Sequence, residues 1–157
     1  MQKPGYLERI FEAKQQDPEV MVRMSEEAWN AYAGYLKDAL DSFGEDEATF
    51  VRDAVLGGRS KGGWHDSSLS RFSIFRAGDT VGAELDVEGD SGTARVIYED
   101  LVDWEFPGGE RLYMIDRHEL VKVGDVYQHT VYFVYPREPL RILAGSIRLD
   151  QVAPSSR

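Results

Sequence analysis

The chain contains no cysteine. That excludes a disulfide framework, a thiolate nucleophile and any zinc site built from sulfur. Positive charge is also in short supply: 18 Lys and Arg stand against 28 Asp and Glu, a formal net charge of −10. A surface of that sign repels a phosphate backbone on average, so nucleic acid is not an expected partner. Residues 1–56 carry six Lys/Arg and twelve Asp/Glu, net −6, and the remainder carries twelve and sixteen, net −4, so neither part is a basic module. No apolar run approaches the about 20 residues that span a bilayer. Residues 1–11 are polar and carry both charges, unlike a signal peptide, so the expected compartment is the cytoplasm, with no membrane partner. Internal repeats, low-complexity segments and an inter-domain linker are absent too. One α+β domain over residues 1–157 is therefore expected, with a helical layer at 1–56 and an antiparallel sheet at 69–152.

What is present is a globular composition, 42% hydrophobic and 11% aromatic, which leaves little room for disorder. Tyr6, Leu7, Ile10 and Phe11 recur at helical spacing, predicting a short helix over 6–15. Asp17-Pro18 restarts a helix, with Asp17 as N-cap and Pro18 at the first helical position. Ser25-Glu26-Glu27 marks either a second N-cap or an exposed face of one long helix. Trp29, Tyr32, Leu36, Ala39, Leu40 and Phe43 then form one stripe, with Gly44 as the stop. A third helix is expected over 46–56, its Phe50, Val51, Ala54 and Val55 facing inward. The glycine-rich loop at 57–67, with Arg59 and Lys61, has the backbone freedom to cradle an anion. It nevertheless leaves a helix at the wrong dipole end and matches no phosphate-loop spacing, so a linker is expected.

From Leu69 the period changes to two. Residues 70–76 and 80–88 form a hairpin around Ala77-Gly78-Asp79. Its second strand alternates Val81, Ala83, Leu85 and Val87 with Glu84, Asp86 and Glu88, which describes a strand with one solvated acidic face. Residues 93–150 then read as four more strands. If Pro107-Gly108-Gly109-Glu110 and Val123-Gly124-Asp125-Val126 are both two-residue turns, they set the register, with pairs summing to 217 and 249.

That register divides the sheet into two faces. One brings Tyr98, Asp100 and Trp104 together with Arg117, Tyr113 and Tyr132, and sets Asp100 opposite Arg117. The plain reading is a cross-strand ion pair worth a fraction of a kcal/mol to about one. The functional reading is a ligand site, or an aromatic docking face for a protein partner. The other face sets His118 opposite Glu99 and diagonal to His129. This is either a satisfied structural cluster or a site for a divalent transition metal. His65-Asp66 beside Ser67 and Ser68 lacks the spacing of a catalytic triad. The last strand, 140–151, is apolar on both faces and therefore calls for cover on both.

The expected fold is α+β: about three N-terminal helices packed on a curved antiparallel meander sheet of about six strands. In architecture this resembles cystatin-like or nuclear-transport-factor-like cones, although here no helix interrupts the strands. Three functions follow as expectations. The first is a non-enzymatic interaction protein without a cofactor, which binds a protein partner or a second copy of itself through the aromatic face and is drawn to basic surfaces. The second is a small-molecule pocket, enzymatic or not, using Arg117, Asp100, Tyr98 and Tyr132. The third is a metal-dependent activity at Glu99, His118 and His129.

Overall fold

The computed structural model describes residues 5–13, 17–56, 64–89, 92–107, 113–135 and 138–151. Arg59, Lys61 and most of the glycine-rich loop lie outside them. The chain divides into two compact units, Met1–Phe43 and Gly44–Arg157.

In the first unit, α1 spans Glu8–Ala13 and α2 spans Pro18–Ala39 without a break at Ser25. Asp17 is the N-cap of α2: its carboxylate accepts the Val20 N–H at 3.0 Å, which satisfies one of the helix's orphan donors. The apolar stripe buries Ala28, Tyr32 and Leu36. The Tyr32 ring lies 5.8 Å from that of Tyr6, which joins the N-terminal segment to α2. A 3₁₀ turn at Leu40–Ser42 ends the helix.

The second unit begins with Gly44, which acts as the N-cap of α3 (Glu45–Phe50) as well as the expected stop. A π-helical turn, Val51–Leu56, continues it. The expected 46–56 helix therefore changes its hydrogen-bond spacing halfway along. Six strands follow: β1 Ser68–Ala77, β2 Thr80–Gly89, β3 Gly92–Glu105, β4 Tyr113–Val123, β5 Val126–Tyr135 and β6 Leu140–Gln151. All pairings are antiparallel, and the strands close in a ring in the order β1-β2-β3-β6-β5-β4. The α+β expectation holds, with two three-strand meanders, β1-β2-β3 and β6-β5-β4, joined through β3 and β6. The ring's interior takes the apolar residues of alternate positions: Ala83, Leu85 and Val87 from β2, Val96 from β3, Leu120 from β4, Val131 and Phe133 from β5, and Ile142 and Ile147 from β6.

The ring is unevenly sealed. Among the described residues, two pairs form between β4 and β1, Ser68 with Met114 and Leu69 with Tyr113. Two backbone bonds extend that seam, from Asp66 N–H to the Ile115 carbonyl and from Ile115 N–H to the Ser67 carbonyl. Beyond Ala144, β6 loses its β5 partner, and α3 meets that edge: buried Glu47 accepts the Ile147 N–H at 2.8 Å. On the same helix terminus, the Gly44 N–H donates to the Tyr127 hydroxyl at 2.8 Å. Covering an unpaired edge with a helix is a standard protection against strand addition.

One register expectation holds and one fails. The β4–β5 pairs sum to 249 from Val123–Val126 as far as Arg117–Tyr132. The β3–β4 pairing with a sum of 217 does not occur, because β3 pairs with β2 and β6 instead. A Pro-Gly-Gly-Glu turn signal is local, whereas β3 and its true partner β6 are separated by residues 106–139, which include β4 and β5.

Candidate functional site

Two places concentrate polar chemistry: the ring's interior, and the outer cleft where β2 and β3 part.

Inside the ring, β3, β4 and β5 bring Tyr98, His118 and His129 into one hydrogen-bonded chain. Tyr98 Oη lies 2.6 Å from His129 Nδ1, His129 Nε2 lies 3.0 Å from His118 Nδ1, and His118 Nε2 lies 2.7 Å from the Ala54 carbonyl in the π turn. A carbonyl only accepts, so His118 Nε2 carries a proton and its Nδ1 is the acceptor. His129 Nε2 must then donate, which leaves its Nδ1 to accept the Tyr98 hydroxyl proton. One direction, Tyr98→His129→His118→Ala54, satisfies every donor and acceptor with all three side chains neutral. Burial enforces that neutrality: it lowers His118 to about 4, lowers His129 well below the usual histidine range with His118 adding to the effect, and raises Tyr98 well above the usual phenol. Aromatic rings enclose the chain. Trp64 stacks on His118 at 4.0 Å between centroids and 4° between planes, and Phe50 stands edge-on to both imidazoles.

The expected metal set is not brought together. Glu99 lies on the outward side of β3 and pairs with Arg148 of β6, while His118 faces Val131 across the β4–β5 ladder. Among the described residues no group of three or more His, Cys, Asp or Glu could hold a metal ion.

The aromatic face is likewise dispersed. Asp100 sits between Glu99 and Leu101, which pair with Ser146 and Ala144 of β6, not with β4. Arg117 takes Asp116 at 2.9 Å as its ion-pair partner. Tyr132 is buried and donates to Glu119. Tyr113 is buried, donates to the Pro107 carbonyl, and packs against Phe106 and Phe133. Trp104 pairs with Ile142 rather than lying opposite Tyr113, and it alone of the three aromatics is exposed, at 43%. A bulge at Asp116 shifts the β4 pairing, so Ile115 falls opposite Phe133, on the interior side with His118. His65 donates to the Asp116 carbonyl at 2.9 Å and lies 3.6 Å from the carboxylates of Asp66 and Asp116; its partners are acids rather than a serine.

At the outer cleft, the β2–β3 ladder runs from Gly89–Gly92 to Ala83–Tyr98 and stops there. Both strands continue, β2 back to Thr80 and β3 on to Glu105. Asp100 marks the divergence with φ at 53°, a left-handed conformation inside a strand. Such a residue costs on the order of 1–2 kcal/mol unless it is glycine, although Asp is among the better tolerated. The conformation seats Asp100 closely over Gly145, where an added Cβ would stand 3.0 Å from Asp100 Cβ. The resulting cleft, about 270 Å³, is lined by Phe75, Thr80, Val81 and Gly82 on the hairpin side and by Ile97, Glu99 and Asp100 on the β3 side, with Glu84 and Arg148 at its border. Phe75 lies against Gly82, where a Cβ would meet its ring at 2.8 Å, so the glycine makes room for that ring in the wall of the cleft.

Comparison with protein-family models, with curated proteins and with solved structures found no match.

Proposed function

We propose that this protein is a binding module that engages a protein partner through the cleft between β2 and β3. The observation that carries the reading is the interrupted ladder: two strands that were paired separate at Tyr98 and leave a lined groove between them. The contrast within the same ring supports it. The unpaired edge of β6 is met by α3 and Glu47, whereas among the described residues no strand pairs with the β2-facing edge of β3 beyond Tyr98. The groove is also amphipathic, since Phe75 and Val81 are each 36% exposed at its rim. Its volume lies below the about 300–1,000 Å³ of typical small-molecule sites, which favours a partner that lies along the groove and continues past it. This keeps an interaction role for the chain and moves it from the Trp104/Tyr113/Tyr132 face, where two of the three rings are buried.

The test is recovery of partners from cells with the intact chain and with Val81→Arg, a rim variant that puts a bulky cation into the groove and reduces its negative charge. A partner that is retained by the intact chain, lost by Val81→Arg and kept by an exposed control away from the cleft such as Val22→Arg supports the reading. Partners retained equally by both variants overturn it.

A further inference from the structure

We infer that the occupant of the cleft is an extended, basic, amphipathic peptide segment that adds as a strand to the free edge of β3. The inference rests on the binding reading above and specifies its mode and its partner's chemistry. Three observations lead to it. First, beyond the left-handed residue Asp100, β3 continues from Leu101 to Glu105 with β6 as its one strand neighbour among the described residues. Its second row of backbone groups therefore has no strand partner among the described residues, and such a row is the template for strand addition. Five residues at about 3.3 Å each make an edge of roughly 17 Å, long enough for a peptide segment of the same length. Second, the groove beside that edge differs between the two faces of the sheet: the acids Glu84 and Glu99 lie on the outer face with Phe75 and Ile97, Val81 lies on the inner face, and Asp100 adds a third acid where the strands part. A strand presents alternate side chains to opposite sides, so a segment alternating apolar and cationic residues sets its cations on the face of the acids and its apolar side chains on the face of Val81. Third, three acids against the single cation Arg148 leave the lining with net negative charge. Arg148 is already engaged by Glu99, and Glu84 by Arg71 at 2.6 Å, while Asp100 reaches the cleft with no cationic partner among the described residues. A lysine or arginine of the partner supplies that charge.

The experiment uses the full chain and a fluorescein-labelled nine-residue peptide alternating lysine and valine, followed by anisotropy and by amide hydrogen exchange. Controls are the glutamate–valine counterpart, and two lysine–valine versions carrying N-methyl groups on alternate residues, one set on each backbone edge. Expected are binding of the lysine peptide, slowed exchange within residues 101–105, a loss of tenfold or more on methylating one edge only, and a several-fold loss with Asp100→Asn. Two results overturn strand addition and leave the cleft as a binding site: both methylated peptides binding as tightly as the parent, or butylamine competing as well as the peptide does. Binding of the glutamate peptide at equal affinity overturns the basic partner. Failure of every peptide, together with sedimentation showing a dimer abolished by Val81→Arg, gives the cleft to a second copy of the chain and overturns the inference while preserving the binding reading. Failure of every peptide with a monomer insensitive to Val81→Arg overturns both.

Discussion

The two buried histidines set the acid response of the molecule. Both are held neutral by desolvation, His118 at about 4, whereas an unfolded chain protonates histidine near 6.5. Between those values the unfolded state binds a proton that the folded state refuses, so stability is fully present above pH 6.5 and falls as pH drops towards 4. For His118 alone the loss is on the order of 3 kcal/mol. The hydrogen-bonded chain takes up that proton only by reversing its direction. Protonating His118 Nδ1 turns it from acceptor to donor, His129 must reverse, and the Tyr98 hydroxyl then accepts where it had donated. Trp64, stacked on His118, offsets part of the cost of a buried imidazolium. A glutamine at 118 carries one donor and one acceptor and does not titrate. Urea midpoints of His118→Gln are therefore expected to change less between pH 7 and pH 4.5 than those of the parent. An unchanged difference would assign the acid sensitivity elsewhere, for example to the carboxylates. Asp86, held below its ordinary value first by its hydrogen bonds to Arg95, acts only at lower pH, where that pairing is lost.

At the scale of elements, local signals were reliable where a partner lies close in sequence. The Asp17-Pro18 helix start, the Gly78 and Gly124 turns and the β4–β5 register all follow from a few neighbouring residues. The β3–β6 pairing does not, because nothing in residues 92–105 names a strand that begins only at Leu140, beyond two others. One further local signal is legible in the sequence. The turn Gly89-Asp90-Ser91-Gly92, taken with the same logic as the others, pairs positions summing to 181. That aligns Val87 with Ala94, Leu85 with Val96 and Ala83 with Tyr98, as found. It puts Tyr98 on the core side and within reach of the histidines. Ala54 and Trp64 were beyond reach, since a backbone carbonyl and one ring beside a glycine loop carry no periodicity. Neither did the pattern expose Glu47, which reads as an ordinary acid in the first turn of a helix. Its buried carboxylate instead holds α3 to β6. Glu47→Ala leaves the Ile147 N–H without its acceptor, with an expected loss of about 1–3 kcal/mol. Amide exchange should quicken at Ile147 and across α3 ahead of the rest of the ring. Uniform quickening over all six strands would mean that α3 is not a separately anchored element.

For the whole molecule, the net charge of −10 separates how a partner arrives from how it stays. A surface of one sign attracts basic segments over distances comparable to the Debye length, about 10 Å at 0.1 M salt. Salt therefore acts mainly on association. Backbone pairing along β3 and burial of Phe75 and Val81 act at contact, where screening is weak, and so govern dissociation. With the lysine–valine peptide in stopped flow, raising salt from 50 to 500 mM is expected to lower the association rate by about tenfold or more while changing the dissociation rate far less. Asp100→Asn should reduce the salt sensitivity of association, and single-edge N-methylation should leave that sensitivity intact and speed dissociation. A complex whose dissociation rises as steeply with salt as its association falls would be held by charge alone. The open edge of β3 would then contribute nothing to retention.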